Sequence, residues 1–175
     1  TDSSAFNYNN IANVDDSSCT YQMTYVPDDG FEIYLEANGM GDGVALNDSV
    51  YTHNINTVTS LIITDEGISD LTGIEDFTAL TSLNCRDNAI TNLDVSQNTD
   101  LLYLRCSEQG NSSSGWMTTL DVSGATALIT LNCEDNQITS LDLSHNISLT
   151  HLQCQKNQLT SLDMRNGNNI NMSSP

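Results

Sequence analysis

Cysteines and histidines are the residues of this chain most able to do chemistry. Four of the five cysteines follow one another at spacings of 21, 27 and 21 residues: Cys85, Cys106, Cys133 and Cys154. A metal site needs ligands that converge on one point, commonly as CxxC or paired histidines, and one thiol per period does not supply that. The spacing predicts small, buried, unbridged thiols stacked one per turn of a repetitive fold. A disulfide between adjacent strands is the open alternative, with awkward geometry.

No arrangement typical of an enzyme accompanies these residues. The three histidines are isolated from one another at positions 53, 145 and 151, and the chain has no HExxH, GxSxG or Cys–His pairing. The glycines of GMGDG (39–43) lack the strand and helix that frame a phosphate loop, so they predict a turn. We therefore expect no catalytic residues, no bound metal and no cofactor.

The cysteine spacing belongs to a longer internal repeat over residues 58–166. Its copies begin at residues 58, 80, 101, 128 and 149, the first being divergent, and they follow the pattern LxxLxCxxNxLxxLDLSxNxx. The LxxLxC part alternates, which predicts a short strand with Leu and Cys on one side, and the next two apolar residues turn the chain back over that side. One copy cannot bury its apolar face alone, so stacked copies must share a core.

This pattern resembles the bacterial 21-residue class of leucine-rich repeats, and ISDLTGIEDFTAL (68–80) is similar to an internalin-type repeat. The resemblance implies an α/β solenoid: a right-handed superhelix with a parallel β-sheet on its concave face and few or no helices on the convex side. Residues 23–57 resemble the N-terminal helical cap of exported multidomain bacterial proteins, with a helix near 28–38. There Asp28 or Asp29 can cap a helix whose Phe31, Tyr34 and Leu35 share one face and which stops at Gly39. In this class of repeat, the asparagines Asn88, Asn136 and Asn157 bond the backbone of neighbouring turns, and Gln109 takes that place in the third copy.

The outward strand positions predict an exposed binding surface. They combine an aromatic ring, bases and amides that can stack and form forked hydrogen bonds. We expect ligand contacts from Asn84, Arg86, Tyr103, Arg105, Asn132, Glu134, His151 and Gln153. A hydrated polar sheet with no ligand would show the same pattern.

An insertion in the third copy is a second candidate for binding. About six extra residues bulge out within 109–116, a Gly- and Ser-rich segment that ends at Trp116, the only tryptophan of the chain. Extra loops on solenoids are often functional. Trp116 either contacts a ligand at the rim or covers the base of the loop.

The two ends differ from the repeats. Residues 1–22 resemble a fragment of an Asn/Asp-rich linker module, which implies that Cys19 has its partner outside the sequence. The alternative is a calcium loop using Asp2, Asn7, Asn13, Asp15 and Asp16, since calcium favours several oxygen ligands. Residues 167–175 predict an incomplete repeat, and we expect further domains in the parent protein.

The net charge of the chain limits which classes of partner it can bind. The formal net charge is -19, and residues 1–79 carry fourteen acids and neither Lys nor Arg. Such a chain repels nucleic acid, and no apolar stretch suits membrane insertion. We expect a secreted or cell-surface recognition and adhesion module that binds a protein. A glycan-binding accessory module and a passive spacer are the alternatives.

Overall fold

The computed structural model describes residues 3, 5, 7, 8, 11, 19–110 and 115–166. Two helices and eleven three-residue strands follow in chain order. They are β1 (Met23–Tyr25), α1 (Asp29–Ala37), β2 (Ser49–Tyr51), α2 (Thr52–Ile55), β3 (Ser60–Ile62), β4 (Ser82–Asn84), β5 (Asn92–Asp94), β6 (Tyr103–Arg105), β7 (Thr119–Asp121), β8 (Thr130–Asn132), β9 (Ser140–Asp142), β10 (His151–Gln153) and β11 (Ser161–Asp163).

Five of these strands, one from each repeat, form a parallel sheet in the order β3-β4-β6-β8-β10. Their central leucines lie side by side, as Leu83 beside Leu104 and Leu104 beside Leu131. All three leucines are buried while the residues on either side of them are more exposed. The predicted alternation is therefore confirmed, and the fold is a leucine-rich-repeat solenoid.

The chain returns through shorter segments that close the core from the other side. β5 pairs with β7, and β9 pairs with β11, both in parallel. Between these return segments and the concave sheet lie the buried apolar residues of every repeat. The convex side carries a single turn of 3-10 helix, Ile74–Asp76, among the residues described, in agreement with the expected scarcity of helices.

Helix α1 covers the N-terminal end of the core. Asp28 caps it, because its side chain accepts a hydrogen bond from the backbone of Phe31. The other carboxylate oxygen of Asp28 accepts bonds from the backbone and hydroxyl of Ser69, which ties the cap to the first repeat. Phe31 stacks on Phe77 at 6.2 Å between ring centroids, and Gly39 ends the helix with a left-handed φ of 73°.

The C-terminal end is covered less completely. Leu162 of β11 is 41% exposed, whereas its counterpart Leu141 in the preceding repeat is 2% exposed. Cys154 is likewise half-buried while the other repeat cysteines are fully buried. Residues 167–175 lie outside the described part of the chain.

Most of the proposed calcium ligands also lie outside the described residues. Asn7 is described, and its side-chain oxygen accepts a hydrogen bond of 2.9 Å from the backbone of Thr20. That bond gives Asn7 a structural role.

Candidate binding face

The concave sheet aligns the outward side chains in two rows. The register of the five strands places one residue of each strand beside its neighbour. The first row is Ser60, Ser82, Tyr103, Thr130 and His151. The second row is Ile62, Asn84, Arg105, Asn132 and Gln153. Six of the nine predicted ligand residues thus lie on one continuous surface, with neighbours about 4.8 Å apart.

A ladder of amide side chains fixes the turns that follow the strands. Asn136 donates to the carbonyls of Cys106 and Cys133 and accepts from the backbone of Gln109. Asn88 and Asn157 make equivalent bonds. In the third repeat Gln109 is fully buried and donates to the Cys85 carbonyl at 2.7 Å. The longer side chain of Gln109 therefore restores the ladder at the insertion.

Each repeat also turns at one non-glycine residue of positive φ. These residues are Asp65, Asp87, Glu108, Asp135 and Lys156, with φ between 52° and 59°. The left-handed backbone is uncommon for residues other than glycine, asparagine and aspartate. The amide ladder beside these turns holds the conformation at each repeat.

Several predicted ligand residues are engaged within the protein. Arg86 forms an ion pair of 2.9 Å with Asp87 and a longer one of 3.5 Å with Glu108. The hydrogen bond that Arg86 donates to Asp87 is the largest of several causes that raise the pKa of Arg86. Glu134 accepts hydrogen bonds from the amides of Asn132 and Gln155. These groups form a polar border just beyond the strand ends.

Arg105 differs from the other three bases of the chain. Arg86, Lys156 and Arg165 each pair with a carboxylate. The exposed side chain of Arg105 forms no ion pair with a described residue. It lies on β6 with Tyr103, which is 46% exposed, and two strands away from Ile62, which is 59% exposed. Our prediction of ligand residues did not include Ile62, although its outward position was evident.

Trp116 lies outside both rows, at the root of the inserted loop. It immediately precedes Met117, which is fully buried in the core. The loop has a narrow neck, because a Cβ on Gly110 would come within 2.5 Å of the Gly115 carbonyl oxygen and 3.0 Å of the Trp116 Cα. Residues 111–114 are outside the described part. A role for Trp116 in binding stays a prediction.

The stacked thiols face the core. Burial raises the pKa of Cys85 and of Cys133 to about 12, and it raises that of Cys106. The Cys85 thiol approaches the Arg105 carbonyl at 3.5 Å. These sulfurs are protonated at neutral pH and pack as small apolar groups. Among the described residues, no group of three or more His, Cys, Asp or Glu is arranged to hold a metal.

A cleft of about 870 Å³ on the return-strand side was not anticipated from the sequence. The LD pair of successive repeats contributes Asp94, Asp121 and Asp142 to its lining, with Asp70 and Glu75. Each LD aspartate accepts a bond from the backbone two residues later, as Asp142 does from Ser144 at 2.9 Å. Hydrogen bonds from Ser144 lower the pKa of Asp142. The aspartates thus have a structural function in the return turns.

Comparison with known proteins agrees with this architecture. No protein-family model matches the chain. Internalin J from Listeria monocytogenes serotype 4b (strain F2365) is 40% identical over 75 residues, which are 43% of this chain and 8% of internalin J. The crystal structure of the internalin InlF from L. monocytogenes 4b F2365 matches with a TM-score of 0.51 and 20% identity, over 77% of this chain and 45% of that chain. The chain therefore has the leucine-rich-repeat fold of this solved internalin, and part of its sequence is similar to internalin J.

A further solved structure, the functional domain of InlJ from L. monocytogenes, includes a cysteine ladder. It aligns with a TM-score of 0.36 and 28% identity, over 87% of this chain and 46% of that chain. The internalin-like chain thus matches less than half the length of each of these relatives. None of its described helices is long and apolar enough to cross a bilayer.

Proposed function

We propose that the concave sheet binds a protein ligand without catalysing a reaction, as the recognition module of a secreted or cell-surface protein. The observation that carries this proposal is that Arg105 is exposed beside Tyr103 and forms no ion pair with a described residue. Arginine and tyrosine are enriched among the residues that dominate binding energy at protein interfaces. Neither side chain takes part in an ion pair or a ring contact with the described residues, so both are available to a partner.

The dimensions of the surface suit a protein. Five strands at about 4.8 Å spacing give a sheet about 24 Å wide. A stable protein interface buries about 800 Å² on each partner. The three-residue strands are about 10 Å long, so the two rows cover about 240 Å², and a protein partner would also contact the polar border and the adjoining turns. The border of Arg86, Asp87, Glu108, Glu134 and Asp135 matches the polar rim that surrounds such interfaces.

The internalin-like repeats support an adhesive function, and the acidic composition supports an extracellular one. A surface of high net negative charge remains soluble where salt screens its self-repulsion. Arg105 then offers a local attachment point for a carboxylate of the partner. Ile62 offers an apolar contact on the same face.

Biolayer interferometry against an array of purified extracellular proteins and soluble polysaccharides tests the proposal. The variant is Tyr103→Ala/Arg105→Ala/His151→Ala, whose side chains are exposed and whose loss leaves the core intact. We expect a protein ligand of the wild type to lose affinity at least tenfold, about 1.4 kcal/mol, in this variant. Arg165→Ala is the charge-matched control, because Arg165 is exposed and lies on the return side; it should change affinity less than twofold.

Two results would contradict the proposal. A protein ligand that binds the triple variant as tightly as the wild type would place recognition elsewhere, with the Trp116 loop as the next candidate. An array without any ligand for the folded chain would favour a passive spacer.

A further inference from the structure

A second exposed surface lies at the N-terminal cap, away from the concave rows. β1 and β2 pair antiparallel, with Met23 opposite Tyr51 and Tyr25 opposite Ser49. Thr24 and Val50 point from this hairpin into the interior and are buried. The residues that alternate with these two therefore lie on the outer face of the hairpin. Together with two flanking rings they form a surface that we call the aromatic strip, and its residues are Tyr21, Met23, Tyr25, Tyr51 and His53.

Three rings of the strip, those of Tyr21, Tyr51 and His53, hold one another in place. Tyr21 lies 4.8 Å from Tyr51 and 5.3 Å from His53, and Tyr51 stacks on His53 at 5.2 Å, between ring centroids. Beside them Tyr25 is 61% exposed and Met23 is also exposed. Rings that are already ordered lose little conformational freedom when a ligand binds.

The hairpin beneath the strip is anchored to the solenoid. The hydroxyl of Thr24 donates to Asp76 at 2.6 Å and lies 2.8 Å from the hydroxyl of Thr52. Hydrogen bonds from Thr52 to Gln22 and from Val26 to Asp48 extend the pairing beyond the two strands. An isolated two-stranded sheet is marginally stable in water, and these bonds give this one a rigid base.

Size and charge determine which ligand suits the strip. From Tyr21 to Tyr25 it is about 14 Å long, at about 3.4 Å per residue, which is small for a protein interface. Residues 1–79 contain fourteen acids and no Lys or Arg, so an anionic ligand would meet repulsion without a base to offset it. Tyr21, Tyr51 and His53 lie 4.8–5.3 Å apart between ring centroids, so they pack against one another and leave no room between them for a cation.

We propose that the aromatic strip binds a neutral oligosaccharide, whose sugar rings stack on Tyr25 and its neighbours. Tyrosine suits this ligand because its ring offers an apolar face and its hydroxyl exchanges hydrogen bonds with sugar hydroxyls. This site is separate from the concave face, so the test of the aromatic strip does not depend on whether the concave face binds a protein.

Isothermal titration calorimetry of the full chain tests the proposal. The probes are cellohexaose, xylohexaose, mannohexaose and laminarihexaose, with polygalacturonate as the anionic and tetralysine as the cationic comparison. We expect at least one neutral hexasaccharide to bind. Tyr25→Ala should weaken it about tenfold or more, and Tyr25→Phe, which keeps the ring, less. Ile33→Ala is the matched control, since Ile33 is an exposed apolar residue of the same cap.

The outcomes separate the alternatives. Binding that Tyr25→Ala abolishes and that Ile33→Ala and Tyr103→Ala leave unchanged would establish the strip as the site. Failure of all four neutral hexasaccharides to bind the folded chain would overturn the proposal. Selective binding of tetralysine or of polygalacturonate, or a glycan affinity that Tyr25→Ala does not alter, would overturn it equally.

Discussion

Removal of one amide from the asparagine ladder should destabilise the solenoid by an amount that depends on how deeply that amide is buried. Asn136→Leu keeps the approximate size of the side chain and removes its hydrogen bonds. Asn136 is 4% exposed, and its amide nitrogen lies 3.0 Å from the Cys106 carbonyl and 3.1 Å from the Cys133 carbonyl. Its side-chain oxygen accepts from the Gln109 backbone at 3.2 Å.

The magnitude follows from the groups left without a partner. The Cys133 carbonyl keeps a hydrogen bond of 2.8 Å from Asn157. The Cys106 carbonyl and the Gln109 N–H lose their bonds in a region that excludes water, and each unsatisfied group costs about 1–3 kcal/mol. We expect the free energy of unfolding to fall by about 3 kcal/mol or more, measured by urea denaturation followed by far-UV circular dichroism. The matched variant is Asn157→Leu, which removes equivalent bonds in the half-exposed last repeat. Water can replace those bonds, so a loss of about 1 kcal/mol is expected.

Equal losses in the two variants would refute this reasoning, because burial would then not determine the cost. A loss below about 1 kcal/mol for Asn136→Leu would show that these two groups find other partners. The comparison requires that the variants and the wild type show the same slope of unfolding free energy against urea concentration. A changed slope would indicate a different unfolded or native state.

Three further predictions concern the core, the cap and the thiols. Leu131→Ala should lower the free energy of unfolding by about 2–5 kcal/mol, because Leu131 is fully buried between neighbouring strands; an unchanged melting temperature would contradict the repeat register. Burial acts to raise the pKa of Asp28, but hydrogen bonds from Ser69, Phe31 and Asp70 outweigh it and leave the pKa below its ordinary value. The stability that Asp28 contributes is therefore present above its unfolded pKa of about 3.9 and is lost as the pH falls through the lower folded value. A weaker dependence of melting temperature on acid pH in Asp28→Asn would verify this, and an identical dependence would refute it. In the native state at pH 8, a thiol reagent that absorbs on reaction should modify Cys19 and Cys154 before the fully buried thiols. The fully buried thiols are those of Cys85, Cys106 and Cys133. Their early modification would show that the core opens readily.

The repeat and its buried faces could be predicted because each position recurs. Leu83, Leu104 and Leu131 occupy one position at intervals set by the cysteine spacing, and any error of register would have placed polar residues in the core. Helix α1 was likewise predictable, since Asp28 as a cap and Gly39 as a stop are local signals. Gln109 was assigned to the asparagine position by alignment alone. Its hydrogen bond to the Cys85 carbonyl agrees with that assignment.

Other features depend on contacts between residues far apart in sequence. The three-residue strands β1 and β2 show little periodicity, so the cap hairpin was not predicted, and neither was the contact between Tyr21 and Tyr51. The cleft on the return side depends on how the repeats stack, which no single copy encodes. On the concave face, Arg86 and Arg105 were predicted as ligand residues alike. The structure distinguishes them, because Arg86 pairs with Asp87 and Glu108 while Arg105 pairs with no described carboxylate.

The first and last described repeats are buried to different extents, so local unfolding of the solenoid should start from one side. Each repeat contacts only its neighbours, so local unfolding of the described residues should begin in the least buried repeat, at β10 and β11. Amide hydrogens there should exchange with solvent sooner than those near Phe31, and protection should rise toward the cap. A partner held at Ile62 and Arg105 would rest on the slowly exchanging part. A partner that also contacts Gln153 would bind only when the last repeat is folded, or would fold it on binding. Its association rate would then depend on the local unfolding of that repeat.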